Sequence, residues 1–436
     1  MTDFFKVLLG VVSAPILIGG GLVLFYTTLQ FMGINVAPVL AVLIATTPFW
    51  LPLLLSSLAY MYWKMFVRKW FAIDNGRVTL RLKLPQEVLK SPEAMERVFS
   101  QIYNPSGADN PYNGWFEGRH PLIFSFELVS IGGDIRFYIN VPRKKTKNAI
   151  EAQLYAQYPG IEIMEEEIDY TAEIPWDTDR FEYMSFRMNK KDDQEFPIRT
   201  YVDCGLDKMP KEEEKVEPMA PMLEQLSMVQ KHERVWIQIL ARPHAKMTFK
   251  NGEIKSTTTW ESKIQEKIDK IMGRKLGTTI GPAELEEQPR LTTGERDKIS
   301  AMERNASKYA YETAIRWMYI VEKGKFNGDF IGPMIRTFSE FDIIGRNGIA
   351  PKWRTDFDYN YFQDPSGKRK LRMKKSELDS YKLRDYYREK SADAPKIFTT
   401  EELATMYHLP GRAVVTPALE RITSTRRDAP SNLPTG

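Results

Sequence analysis

From Val7 to Trp63 the chain carries no Asp, Glu, Lys or Arg, a run of 57 residues. Nothing else in the sequence restricts the fold as strongly. A helix needs about 20 apolar residues to cross a bilayer, and this run holds more than two such lengths. It reads as a transmembrane helical hairpin, with spans near Val7–Leu29 and Val39–Tyr62. Gln30–Pro38 forms the turn between them. Lys6 precedes the run, and Lys64, Arg68 and Lys69 follow it. Basic flanks face the cytoplasm, so both termini and the main domains are expected there, at the inner membrane. Trp63, Lys64, Arg68, Lys69 and Trp70 are the expected membrane-interface anchors, with Tyr60, Tyr62 and Phe71 in the same aromatic belt.

The rest of the 436 residues is charged at ordinary density and is long enough for a packed core. The single cysteine, Cys204, excludes an intrachain disulfide framework. A net charge of +4 does not by itself mark a nucleic-acid binder.

Residues 76–85 alternate apolar and polar, as a strand with one buried face does. Ser91-Pro92-Glu93 opens a helix with the stripe Met95, Val98, Phe99 and Ile102. Strands at Leu122–Ser130 and Ile135–Val141 flank a Gly132-Gly133 turn. A helix over 145–157 and a strand from Ile161 to Met164 complete βαββαβ, the ferredoxin-like order. The insert 103–120 reads as a loop. The same order returns with a strand at Phe181–Met188, a helix at Met222–Val229 and a strand at Val235–Ala241. A strand at Tyr309–Val321, a helix at Gly328–Phe341 and a strand near Ile349 follow. The expected class is therefore α+β, with duplicated ferredoxin-like domains after the hairpin. Domains are placed at 1–70, 71–175 and 176–350, the third with a helical insertion at 257–306. A basic, Pro-rich extension covers 351–436. Within it, Thr400–Tyr407 reads as a short capped helix and 421–436 as a linker.

No phosphate-binding loop is present. Gly324-Lys325 and Gly367-Lys368 are followed by Phe326 and Arg369, where that motif needs a hydroxyl. The four histidines (His120, His232, His244 and His408) have no zinc-ligand spacing. Asp356, Asp358 and Asn360 begin like a calcium loop, but Tyr361 and Gly367 stand where Gly and Glu are required. Glu165, Glu166, Glu167 and Asp169 read as a solvated strand end. No catalytic residue, metal or cofactor is expected. Lys368, Arg369, Lys370, Arg372, Lys374 and Lys375 place six cations in eight residues, just after Tyr359, Tyr361 and Phe362. Such a run suits single-stranded nucleic acid, anionic lipid or a solvated, protein-facing surface.

Four segments carry a family resemblance: Phe124–Asn140, Glu151–Pro159, Thr399–Pro410, and Thr416–Ile422 with Ala429–Pro434. Together they resemble the membrane-anchored, non-motor N-terminal portion of type IV secretion and conjugation ATPases of the FtsK–HerA class, over nearly the whole chain. The resemblance implies a double span and a non-catalytic α+β region. The P-loop motor would then lie on a separate polypeptide. The expected function is a non-enzymatic membrane anchor and adaptor that docks this ATPase and assembles as a homo-oligomer. The alternative is a membrane-tethered nucleic-acid-binding protein acting through the basic run.

Overall fold

Thr46 interrupts what the sequence presents as one long apolar stretch. In the computed structural model a short helix α1 (Ala37–Ala45) ends there, and α2 (Thr47–Asn75) starts afresh. The structure describes Thr28, Phe31 and residues 37–85, 90–104, 110–144, 146–208, 217–244, 246–250, 253–257, 260–273, 291–356, 364, 366–386, 394–411, 419 and 421. The nine residues of α1 span about 14 Å, half of what a bilayer core requires. Helix α2 is long enough at 29 residues. However, Pro48, Pro52, Ser56, Ser57, Tyr60, Tyr62 and Trp63 dilute its leucines, and Lys64, Arg68, Lys69 and Asp74 charge its last third. Among the described residues, no helix is long and apolar enough to cross a membrane. The expected transmembrane hairpin, and the inner-membrane location drawn from it, are corrected accordingly. Absence of charge over 57 residues is a weaker condition than the sustained apolarity that hydrocarbon demands. The first expected span, Val7–Leu29, lies outside the described residues apart from Thr28.

The chain divides into two compact units, Met1–Val67 and Arg68–Gly436. In the second, β1 (Arg77–Lys83), α3 (Glu93–Ile102), β2 (Phe124–Ile131), β3 (Asp134–Pro142), α5 (Lys147–Gln157) and β4 (Glu162–Glu165) follow one another. The insert before β2, expected as a loop, contains a one-turn helix α4 (Pro111–Trp115), whose Asn113 amide donates to Asn110 Oδ1 at 2.8 Å. Next come β5 (Phe181–Lys190), α6 (Ala220–Ser227), β6 (Glu233–Pro243), a hairpin of β7 (Lys246–Lys250) and β8 (Glu253–Thr257), α7 (Trp260–Ile271) and α8 (Thr293–Ala306). The chain continues through β9 (Ala310–Glu322), α9 (Ile331–Thr337), β10 (Ile349–Arg354), α10 (Lys368–Leu383), β11 (Lys396–Thr399) and α11 (Thr400–Met406).

The strands form one nine-stranded antiparallel sheet in the order β10-β5-β9-β6-β2-β3-β1-β4, with β11 on the free part of β9. Each βαββαβ run contributes four strands, and the second strands of the two runs, β6 and β2, pair from Phe124↔Ala241 to Ile131↔Arg234. The boundary expected near 175 is therefore bridged by main-chain hydrogen bonds, and both runs lie in one compact unit. The extension after 350 belongs to that unit too, through α10, β11 and α11.

Side chains alternate across a strand. Phe124, Phe126, Leu128, Val235, Ile237, Ile239, Ile315, Trp317 and Tyr319 face one core, with Met95, Val98 and Phe99 of α3 and Leu223 and Leu226 of α6. Leu403, Ala404 and Tyr407, in and after α11, join it. Val129, Tyr138, Trp236, Met318 and Ile320 face the opposite side, where Leu378 and Tyr381 of α10 cover them. Much of the 257–306 stretch is helical. Trp260, Ile264 and Ile268 of α7 pack with Ile299 and Met302 of α8 in a satellite core, and residues 274–290 lie outside the described residues.

Candidate functional site

On the α10 side of the sheet, the cross-strand register aligns a row of polar residues. Arg81 stands opposite Tyr138, Tyr138 opposite Glu127, Glu127 opposite Gln238, Gln238 opposite Arg316, and Arg316 opposite Arg187. A polar row beneath a helix must be paired, because each unpaired buried group costs about 1–3 kcal/mol. The segment 377–386 supplies most of the partners. Glu377 accepts a two-pronged contact from Arg187. Gln238 Nε2 donates to the Tyr381 carbonyl at 3.2 Å. The Arg316 guanidinium donates to the Asp385 carbonyl. Arg384 donates to both oxygens of Glu127, at 2.9 and 3.1 Å, and contacts Asp169 at 2.7 Å.

Glu127 sits at the centre of this row and is fully buried. Oε1 also accepts from Ser125 and from Gln238 at 3.0 Å, and Oε2 accepts from Tyr170 at 2.7 Å. Tyr170 in turn shares a hydrogen bond of 2.9 Å with Tyr381. Burial works to raise the Glu127 pKa, but the Arg384 charge and the hydrogen bonds outweigh it and hold the carboxyl below its usual range. Burial pushes the phenols of Tyr170 and Tyr381 well above theirs, reinforced by the Glu127 charge. Ser, Glu, Tyr and Arg in one cluster resemble catalytic equipment. Here every carboxylate oxygen already holds at least two donors, and the cluster is sealed. Its chemical capacity is to fasten the tail to the sheet. Sequence reading missed it because Glu127 looks like an ordinary outward residue of an alternating strand.

The predicted basic run lies on α10. Lys368, Arg369, Arg372 and Lys375 are exposed, and helical spacing puts them on one outward face. Lys370 and Lys374 are half-buried instead. Lys370 pairs with Asp356 at 2.8 Å, and burial lowers the Lys374 pKa. The Asp364 carboxylate accepts the backbone amides of Arg369 and Lys370, at 3.1 and 2.8 Å, and so fixes the start of the helix. Tyr359, Tyr361 and Phe362 lie outside the described residues. The structure thus splits the six cations into an outward four and an inward two.

The expected membrane-interface anchors all fall on α2, where Trp63, Lys64, Arg68, Lys69 and Trp70 are exposed. Phe71 packs on the His120 ring, with centroids 5.5 Å apart.

The remaining candidates are spent inside the fold. Glu165 accepts from Arg143 and Lys147, and Glu166 contacts Arg81 at 3.4 Å. Asp169 accepts from Thr79 and Thr171, both at 2.7 Å. Cys204 is half-buried, and burial pushes its thiol pKa up. His244 contacts Glu312 at 3.1 Å. His408 is buried, with Nδ1 on the Ala404 carbonyl at 2.8 Å and Nε2 on Glu217 at 2.7 Å. Among the described residues, no group of three or more His, Cys, Asp or Glu side chains could hold a metal ion.

No curated protein and no solved structure matches this chain. One family model does, described as a domain of unknown function (DUF8128), over residues 110–327. That interval runs from just before α4 past the end of β9 and contains the whole β2–β6 seam. The match spans half of the sequence, and the chain belongs to this DUF8128 family.

Proposed function

We propose that this protein is a non-enzymatic adaptor in a type IV secretion or conjugation-like machine, docking a separate P-loop ATPase. One observation carries the reading: the charges divide between two tasks. The buried and half-buried ones (Glu127 with Arg384, Glu377 with Arg187, Lys190 with Glu402) are committed to internal pairs that lock the tail onto the sheet. The outward ones on α10 sit on a rigid helix, as a binding surface requires. The family resemblance supplies the kind of partner. Affinity purification of the tagged full chain from its native cell, with mass spectrometry and an ATP-hydrolysis assay, tests this. A co-purifying P-loop ATPase supports the adaptor; repeated preparations without one overturn it.

A second reading is favoured by the outward row itself. Lys368, Arg369, Arg372 and Lys375 form a line of cations suited to a single-stranded nucleic acid. Replacing all four with Gln is expected to lower oligonucleotide affinity and to flatten its salt dependence. Unchanged binding by that variant overturns this second reading.

A further inference from the structure

Helix α10 carries two unlike stripes. Lys370, Met373, Lys374, Glu377, Leu378 and Tyr381 share the three- and four-residue spacing of one face, and all are buried or half-buried. Lys368, Leu371, Arg372, Lys375 and Asp379 share that spacing on the other face, and all are exposed. From Lys368 to Asp379 this outward stripe runs about 16 Å. Leu371 is 45% exposed, with Lys368 one turn before it and Arg372 and Lys375 after it. Helix stability does not account for the cations. The positive end of a helix dipole favours acids in the first turn. α10 has none there and begins with Lys368, Arg369 and Lys370. The Asp364 carboxylate is spent on the backbone amides of Arg369 and Lys370. A sequence that departs from local preference in this way tends to do so at a functional surface.

We propose that the outward stripe of α10 docks an acidic protein surface with an apolar pocket for Leu371 at its centre. This inference rests on the adaptor reading given above and supplies the chemistry of the docked face. Three cations facing carboxylates speed encounter and suppress wrong partners. Leu371 adds hydrophobic burial once it is covered. Asp379, at the far end of the stripe, requires a cation opposite it and so fixes the direction in which the helix lies on its partner. A nucleic-acid strand fits this stripe less well. Its phosphates would meet the exposed Asp379, and the stripe offers a leucine where stacked bases need an aromatic ring.

Photo-crosslinking of the full chain in its native cell tests the stripe. Benzoylphenylalanine replaces Leu371, or replaces Met228, an exposed residue just after α6, as the control position. Mass spectrometry then identifies the cross-linked peptide. The expected result is a protein adduct at position 371 and not at 228, on a peptide of net negative charge. K368Q/R372Q/K375Q is expected to lower the adduct yield about tenfold. K263Q/K270Q/R296Q, which removes three exposed cations of α7 and α8, should leave it unchanged. Changing the acids of the cross-linked peptide to Lys should restore the yield of K368E/R372E/K375E. An absent adduct at 371, or one that survives loss of the three cations, overturns the proposal. An equal loss in K263Q/K270Q/R296Q also overturns it, because net charge alone would then explain the effect. Nucleic acid at 371 in place of protein overturns it in favour of the second reading. An ATPase that co-purifies with the wild type yet forms no adduct at 371 overturns this face and leaves the adaptor standing. An acidic partner at 371 that has no P-loop supports the face and overturns the docking of an ATPase. Circular dichroism on each variant establishes that it is folded.

Discussion

Glu127 and Arg384 are 257 residues apart in sequence and are joined by two hydrogen bonds, at 2.9 and 3.1 Å, with both side chains buried. Removing one member of a buried pair strands the other charge and costs about 3–5 kcal/mol. Arg384→Met is therefore expected to lower the urea midpoint steeply. Glu127→Gln combined with Arg384→Met should cost less than the sum of the two single changes. A double-mutant cycle measures that coupling; strict additivity would show that the pair is not a unit.

His408 predicts how stability depends on pH. Burial opposes its charged form, but Glu217 and the Ala404 carbonyl outweigh burial and raise its pKa above the usual imidazole value. The folded state thus holds this proton more tightly than the unfolded chain. The resulting stability is fully present below the unfolded value of about 6.5 and is lost as pH rises through the folded pKa. Chemical denaturation from about pH 6 to pH 9 should show a decline that His408→Gln reduces. A decline of the same size in the variant would assign the effect to other groups.

The β2–β3 turn predicts an intolerant glycine. Gly133 has φ of +98°, and a Cβ there would meet the carbonyl oxygens of Ser227 at 3.0 Å and Val229 at 3.2 Å. Both the backbone conformation and the space forbid a side chain. Gly133→Ala is expected to destabilise by about 1–3 kcal/mol, read by thermal denaturation. The same change at Gly273, also at positive φ but with nothing within 4 Å, should cost less.

Phe99 tests whether the two βαββαβ runs are one cooperative body. Its ring lies 4.7 Å from Phe126 of the first run and 6.3 Å from Tyr311 of the second, centroid to centroid. Phe99→Ala is expected to cost about 3–5 kcal/mol and to lower a single transition. Two separate transitions, only one of them shifted, would contradict a shared core.

Several of these features could be read locally. The apolar–polar alternation around Gly132-Gly133 marks the β2–β3 hairpin, and Met95, Val98, Phe99 and Ile102 mark α3, because strand and helix periods are written in neighbouring residues. The capped start of α11 is equally local: the Thr399 amide donates to Glu402 at 2.9 Å. The β2–β6 seam is not local, since pairing between strands more than a hundred residues apart leaves no short-range trace. For the same reason Glu127 gave no sign of its burial, and the inward turn of Lys370 and Lys374 depended on Asp356 and on the sheet beneath. The opposite error arose at Val7–Trp63. Absence of charge was visible, but the effect of interspersed Pro, Ser, Trp and Tyr on apolarity becomes decisive only once helix limits are known.

The fastening of the polar row by residues 377–386 also orders events in time. All six strands of that row precede the strap in sequence, so they leave the ribosome first. Until the strap arrives, Glu127, Gln238, Arg316 and Arg187 lack those partners, beside the uncovered ring of Trp236. Such long-range closure is slow to form and exposes a partly built sheet to wrong contacts. A growing copy of this chain has reason to depend on chaperones until its strap has docked.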